Sequence, residues 1–127
     1  MNDKYNLSQN DRAVMDVIWE KTEATNAEVL DELKHISGFT RDTVKTYIRR
    51  LREKALVGVK KLSPKNHIYY PLLSKDEYLA EEAKEFLSQN YDNLTHMIAG
   101  LVDNEKISDD EIHSLEQYIR ELKEKNR

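Results

Sequence analysis

The stretch Thr40-Arg41-Asp42-Thr43-Val44-Lys45-Thr46-Tyr47-Ile48-Arg49-Arg50-Leu51 decides how this chain is read. Thr40 is of a type that caps helices, because its hydroxyl can accept from the free backbone N–H groups of a first turn. Behind it Val44, Tyr47, Ile48 and Leu51 recur at three and four, one apolar stripe on a helix. The other side carries Arg41, Lys45, Thr46, Arg49 and Arg50. Residues 41–65 hold nine Lys and Arg against Asp42 and Glu53, and a polyanion responds to such a local concentration more than to total charge.

Two further helical patterns lie upstream. Ser8 with Asp11 announces a helix bearing Val14, Met15, Val17, Ile18 and Trp19, an arc wide enough to touch several neighbours. Thr25 with Glu28 is a capping box, and Val29, Leu30, Leu33 and Ile36 then recur at helical spacing up to Gly38. Downstream, residues 57–62 and 67–70 are β-favouring runs separated by Ser63-Pro64-Lys65-Asn66. That is a β-hairpin with Lys60, Lys61 and Lys65 at or near its tip, closed by Pro71. The order helix, helix, helix, hairpin is that of a winged helix-turn-helix, whose third helix enters the DNA major groove while the hairpin touches the backbone.

From Ser74 and Glu77 onward the chain reads as helical and acidic. Tyr78, Leu79, Ala83, Phe86 and Leu87 recur at three and four, as do Leu94, Met97, Ile98, Leu101 and Val102. Ser108 with Glu111 caps a last helix bearing Ile112, Leu115, Ile119 and Leu122. Three amphipathic helices in about fifty residues bury little surface by themselves. The expectation is therefore burial against a second copy through Phe86, Leu94, Met97, Ile98, Ile112, Leu115, Ile119 and Leu122. The fold class expected is mainly α (α+β): a winged helix-turn-helix over residues 1–73, followed by a helical dimerisation domain over 74–127. Charge divides the same way. The first part holds 13 Lys and Arg against 10 Asp and Glu, the second 7 against 14, within a whole-chain net charge of −4.

The segment Val-Met-Asp-Val-Ile-Trp (Val14 to Trp19), the run from Thr40 through Thr43, Thr46, Arg50 and Leu51, and the C-terminal stretch from Ile107 to Ile119 resemble the BlaI/MecI penicillinase-repressor family, and the resemblance covers nearly the whole chain. It implies a dimeric winged-helix repressor that sits on a palindromic operator until a signal removes it, controlling β-lactam resistance or a related stress response. In the best-known members the signal comes from a β-lactam-sensing membrane metalloprotease and ends in cleavage. Thr43, Thr46 and Arg50 fall on the family's recognition-helix motif, with Lys45 on the same exposed side, so these four are the base-contact candidates. Arg41, Arg49, Lys60, Lys61 and Lys65 complete the expected DNA-binding set. The pattern is departed from at three places. Arg41-Asp42 replaces a common Pro-Lys pair, Ala55 replaces a glycine before the first wing strand, and Gly100-Leu101 aligns with the Asn-Phe pair at which penicillinase repressors are cut. Copper-responsive relatives sense through cysteine pairs, and this chain has no cysteine.

Other chemistries find little support. His35, His67, His96 and His113 are scattered without metal-ligand spacing, so no metal is expected. Glu81, Glu82 and Glu85 read as a solvated helix face. The serines have no triad-like partners, and three glycines make no phosphate loop, so neither an enzyme nor a cofactor is expected. No apolar run approaches the roughly 20 residues that span a bilayer, and a cytoplasmic location without membrane insertion is the expectation. Two alternatives stay open: a winged-helix module whose basic region binds an acidic protein, and a ligand-sensing regulator of the MarR type. The latter normally places a dimerisation helix ahead of the helix-turn-helix, where this chain has only about seven residues before its first cap.

Overall fold

A computed structural model describes residues 3–126. After a short 3-10 turn, Asp3–Tyr5, come α1 (Gln9–Lys21), α2 (Asn26–Leu33) and α3 (Arg41–Glu53), then strands β1 (Val57–Ser63) and β2 (Asn66–Pro71), then α4 (Lys75–Asn90), α5 (Leu94–Asp103) and α6 (Asp109–Lys125). The capping residues read from sequence start the helices. Ser8 Oγ accepts from the Asp11 amide at 3.1 Å and Ser74 Oγ from the Glu77 amide at 3.1 Å. Thr25 with Glu28 and Ser108 with Glu111 form reciprocal capping boxes, each satisfying donors that a helix start leaves open.

The chain divides into two compact units after Ala83. In the first, Val14, Met15 and Ile18 of α1 meet Val29 of α2, Val44, Ile48 and Leu51 of α3, and Leu56 in one core. Each such side chain contributes about 1.5–3 kcal/mol when removed from water. The wing is antiparallel, with Val57 opposite Pro71 and Val59 opposite Tyr69. Its strands run one residue further at the turn than the sequence suggests, and Pro71 pairs as the last residue of β2 instead of ending the hairpin. Ala24, between α1 and α2, adds a bridge to β2: its amide donates to Tyr69 O at 2.9 Å and Tyr69 N–H donates back at 2.8 Å.

Two backbone details explain local sequence choices. Ala55 lies at φ 60, in the left-handed region. There the Leu56 amide donates to Leu51 O at 2.9 Å and the Ala55 amide to Arg52 O at 3.0 Å, closing α3 in a Schellman motif whose usual residue is glycine. In β1, Gly58 lies under the Tyr70 ring, where any Cβ would come within 2.6 Å of that ring.

The first compact unit runs past the wing into α4 and ends at Ala83. Tyr78 is the reason. The sequence reading groups it with the acidic helices, yet it is fully buried in the first core, 5.3 Å from the Trp19 ring and 5.7 Å from Tyr5. Burial pushes its phenol up to about 12. Trp19 is half-buried and uses its indole N–H to donate to Leu73 O at 2.9 Å. Arg12 lies 5.7 Å from the Trp19 ring and 5.5 Å from Tyr78, and reaches Asp16 at 3.2 Å and Glu82 at 3.7 Å. This cluster fastens the first turns of α4 to α1.

The second unit holds the rest of α4 with α5 and α6. Among its described residues none is buried. Tyr91 packs 6.3 Å from Phe86 and edge-on to His96 at 5.5 Å.

Candidate nucleic-acid interface

The rotation of α3 follows from its stripe. Because Val44, Ile48 and Leu51 are buried, the helical period turns Arg41, Lys45, Arg49, Arg50 and Arg52 outward, and all five are exposed. The helix begins in a reciprocal capping box in which Thr40 Oγ1 accepts from the Thr43 amide at 3.2 Å and Thr43 Oγ1 accepts from the Thr40 amide at 2.7 Å. Thr43 Oγ1 also lies 3.0 Å from Gly38 O and 3.1 Å from Thr40 O. The hydroxyl is thus engaged in starting the helix, and the outward chemistry of Thr43 lies mainly in its methyl group. Thr46 Oγ1 donates to Asp42 O at 3.2 Å, which leaves its lone pairs free to accept.

The cations differ in their availability. Arg49 pairs with Glu53 at 3.7 Å, and Lys60 with Glu23. Hydrogen bonding to that carboxylate raises the Lys60 ammonium above the usual lysine range, and the same ammonium lies 5.4 Å from the Tyr70 ring. Arg41, Lys45, Arg50, Lys61 and Lys65 have no carboxylate within ion-pair distance among the described residues. Three of these five meet. An open groove runs between the start of α2, the start of α3 and the wing turn, and Arg41, Lys45 and Lys65 line it beside Asn26, Pro64 and His67. Arg49, Arg50, Lys60 and Lys61 stand outside it.

The α2 wall of this groove, Thr25 and Asn26, is not among the DNA-binding residues expected from sequence. Asn26 Nδ2 is buried with no hydrogen-bond partner among the described residues, a spare donor at a helix start where the backbone dipole favours anions. The capping box at Thr25 was the available signal, since it places α2's first turn but says nothing of what it faces. Among the described residues no group of three or more His, Asp or Glu could hold a metal ion, and no helix is long and apolar enough to cross a membrane.

Of the residues expected to pair two copies, Phe86 and Leu94 are each 53% exposed, with Leu115, Ile119 and Leu122 also exposed and Met97, Ile98 and Ile112 half-buried. Gly100 and Leu101 lie inside α5, half-buried.

Comparison with known proteins bears on what such a surface serves. The family model described as penicillinase repressor matches residues 7–121. The penicillinase repressor of Bacillus licheniformis is 27% identical over 122 residues, covering 95% of this chain and 94% of that protein. The transcriptional regulator BlaI of Mycobacterium tuberculosis is 31% identical over 117 residues, 91% of this chain and 84% of that one. Among solved structures, the solution structure of the DNA-binding domain of the repressor BlaI matches with a TM-score of 0.52 and 27% identity, over 61% of this chain and 94% of that domain.

Proposed function

We propose, from the premise that the chain belongs to the penicillinase repressor family, that it is a DNA-binding transcriptional repressor that acts as a homodimer on a palindromic operator. The observation that carries this reading is the groove where Arg41, Lys45 and Lys65, three cations without carboxylate partners, converge between the third helix and the wing. A double helix offers phosphates along a path that such a groove can follow, and neutralising them releases counterions. Base reading falls to Lys45, Thr46 and Arg50, with the Thr43 methyl available to a thymine methyl. Arg41, Arg49, Lys60, Lys61 and Lys65 supply contacts to the backbone, which position the protein without specifying sequence.

Dimerisation through α4, α5 and α6 supplies the second half-site. Two-fold symmetry then requires an inverted repeat, with half-sites about one helical turn or a small multiple apart. Genes for β-lactam resistance are the natural targets, given the names of the relatives. A sensor protease acting at Gly100-Leu101 would have to unwind the end of α5 to reach the peptide bond, because an extended segment is what a protease cleft accepts.

Fluorescence anisotropy on DNA from upstream of the protein's own gene, against a scrambled duplex across a salt series, tests the reading. Much tighter binding to the native duplex that weakens steeply with salt is the expected result. Equal or absent binding would overturn it and favour an acidic protein partner for the basic groove.

A further inference from the structure

Given that α3 docks on DNA as proposed above, we infer that Tyr47 is a positioning residue for Arg50, held in place by Asn10. Tyr47 lies on the edge of the α3 stripe, half-buried, and its ring is fixed on two sides. Its hydroxyl accepts from Asn10 Nδ2 of α1 at 2.9 Å, and its ring packs against Phe39, centroids 5.7 Å apart and tilted by 59°. Three residues on, which is the next turn of the same helix face, the Arg50 guanidinium lies 5.8 Å from the Tyr47 ring centroid. Arg50 is exposed and has no carboxylate within ion-pair distance among the described residues. Among the described residues the ring is thus the one group within interaction distance of this guanidinium.

The physical consequence concerns entropy. A free arginine samples many rotamers and loses that freedom on binding, whereas one resting on a fixed ring has lost part of it beforehand. A guanidinium held within cation–π range of a ring, 5.8 Å from the centroid, does not use up its N–H donors, which remain able to make a bidentate contact to guanine. Arg52, on the same helix and exposed, has neither a carboxylate partner nor such a ring among the described residues and serves as an internal control. Asn10 reaches Tyr47 from a helix that carries none of the DNA-binding set, so the device joins α3 to α1 across the edge of the core.

The experiment has two arms. In the free protein, the ¹⁵N heteronuclear NOE of Arg50 Nε–Hε should report an ordered side chain where Arg52 is mobile, and Tyr47→Leu should make the two alike. Tyr47→Phe, which keeps the ring against Phe39 but loses the bond from Asn10, should leave Arg50 with an order between that of the parent and that of Tyr47→Leu, and either variant leaves an apolar residue in the stripe, so folding is checked by an unchanged far-ultraviolet spectrum. On DNA, Tyr47→Leu should lower the preference for operator over scrambled duplex by about 2- to 5-fold, the scale of an exposed cation–π contact. In an Arg50→Ala background the same change should alter that preference less than about 2-fold, because residues acting as a unit are not additive. An Arg50 as mobile as Arg52 in the parent protein, or fully additive losses in the double variant, would overturn the inference. Should Tyr47→Leu free Arg50 while Arg50→Ala leaves operator preference intact, the base-contact role of Arg50 fails and the hold of the ring upon it stands.

Discussion

The two units of this chain solve the same problem, covering apolar side chains, in opposite ways. In the first, Val14, Met15, Ile18, Val29, Val44, Leu51 and Leu56 are at or near zero exposure, because three helices and a sheet surround one centre. In the second, Phe86, Leu94, Val102, Leu115, Tyr118, Ile119 and Leu122 remain exposed, Tyr118 at 61%. A stripe at helical spacing is therefore evidence of a buried face only when enough elements are present to enclose it. Where they are not, the same pattern leaves an exposed apolar surface, the one the proposed homodimer would cover.

The sharpest way to break this contrast is to place charges on the second surface. Ile112→Asp together with Ile119→Asp should convert dimers to monomers by sedimentation, since each unpaired buried charge costs about 3–5 kcal/mol. The first unit should keep its melting temperature, and an unchanged sedimentation profile would remove these residues from the interface. Next in size, Leu51→Ala should cost about 2–5 kcal/mol in denaturant unfolding, by an amount independent of protein concentration, whereas any loss in the second unit should depend on it. A smaller change runs the other way: Ala55→Gly should stabilise the first unit by roughly 1 kcal/mol, because the left-handed residue no longer carries a Cβ. A lower midpoint in that variant would show that the left-handed turn is not strained. Glu23→Gln should raise affinity for operator and scrambled DNA alike by a few-fold at low salt, since Lys60 is then free for phosphate. The smallest effect is on pH. Hydrogen bonds from the Thr25 backbone and side chain hold the Glu28 carboxyl below its ordinary value, so its contribution is complete above the usual glutamate range and is lost as pH falls through the lowered value. Glu28→Gln should flatten the acid limb of the thermal stability profile slightly, and an unaltered limb would show the capping box to be neutral.

Most of the architecture is legible in the chain because it is written in short-range signals. Ser8, Thr25, Thr40 and Ser108 each start a helix where the spacing of their partners says they should, and the stripe of α3 sets which cations face outward. What escapes depends on residues far apart in sequence. Tyr78 belongs by period to the acidic helices, and only the packing of Trp19 and Tyr5 reveals it as core. Arg12 reads as an ordinary charge until two rings and two carboxylates close around it. At the interface the exposed cations are legible, but the division between those held by Glu23 or Glu53 and those left unpaired is not, since Lys60 and Glu23 are 37 positions apart. The engagement of the Thr43 hydroxyl in its own helix start is a local effect that the spacing Thr40, Thr43 already allows, and it is why Lys45, Thr46 and Arg50 carry the base reading in the function proposed above.

The wing is fastened to the helical body by the reciprocal pair of backbone hydrogen bonds between Ala24 and Tyr69. Amide hydrogen exchange at these two positions is then a clock for the wing: both protons become labile in the same opening event, at a rate set by undocking and not by global unfolding. Operator DNA that holds the wing down should slow the two amides together and leave the exchange of Ile119, in the other unit, unaltered.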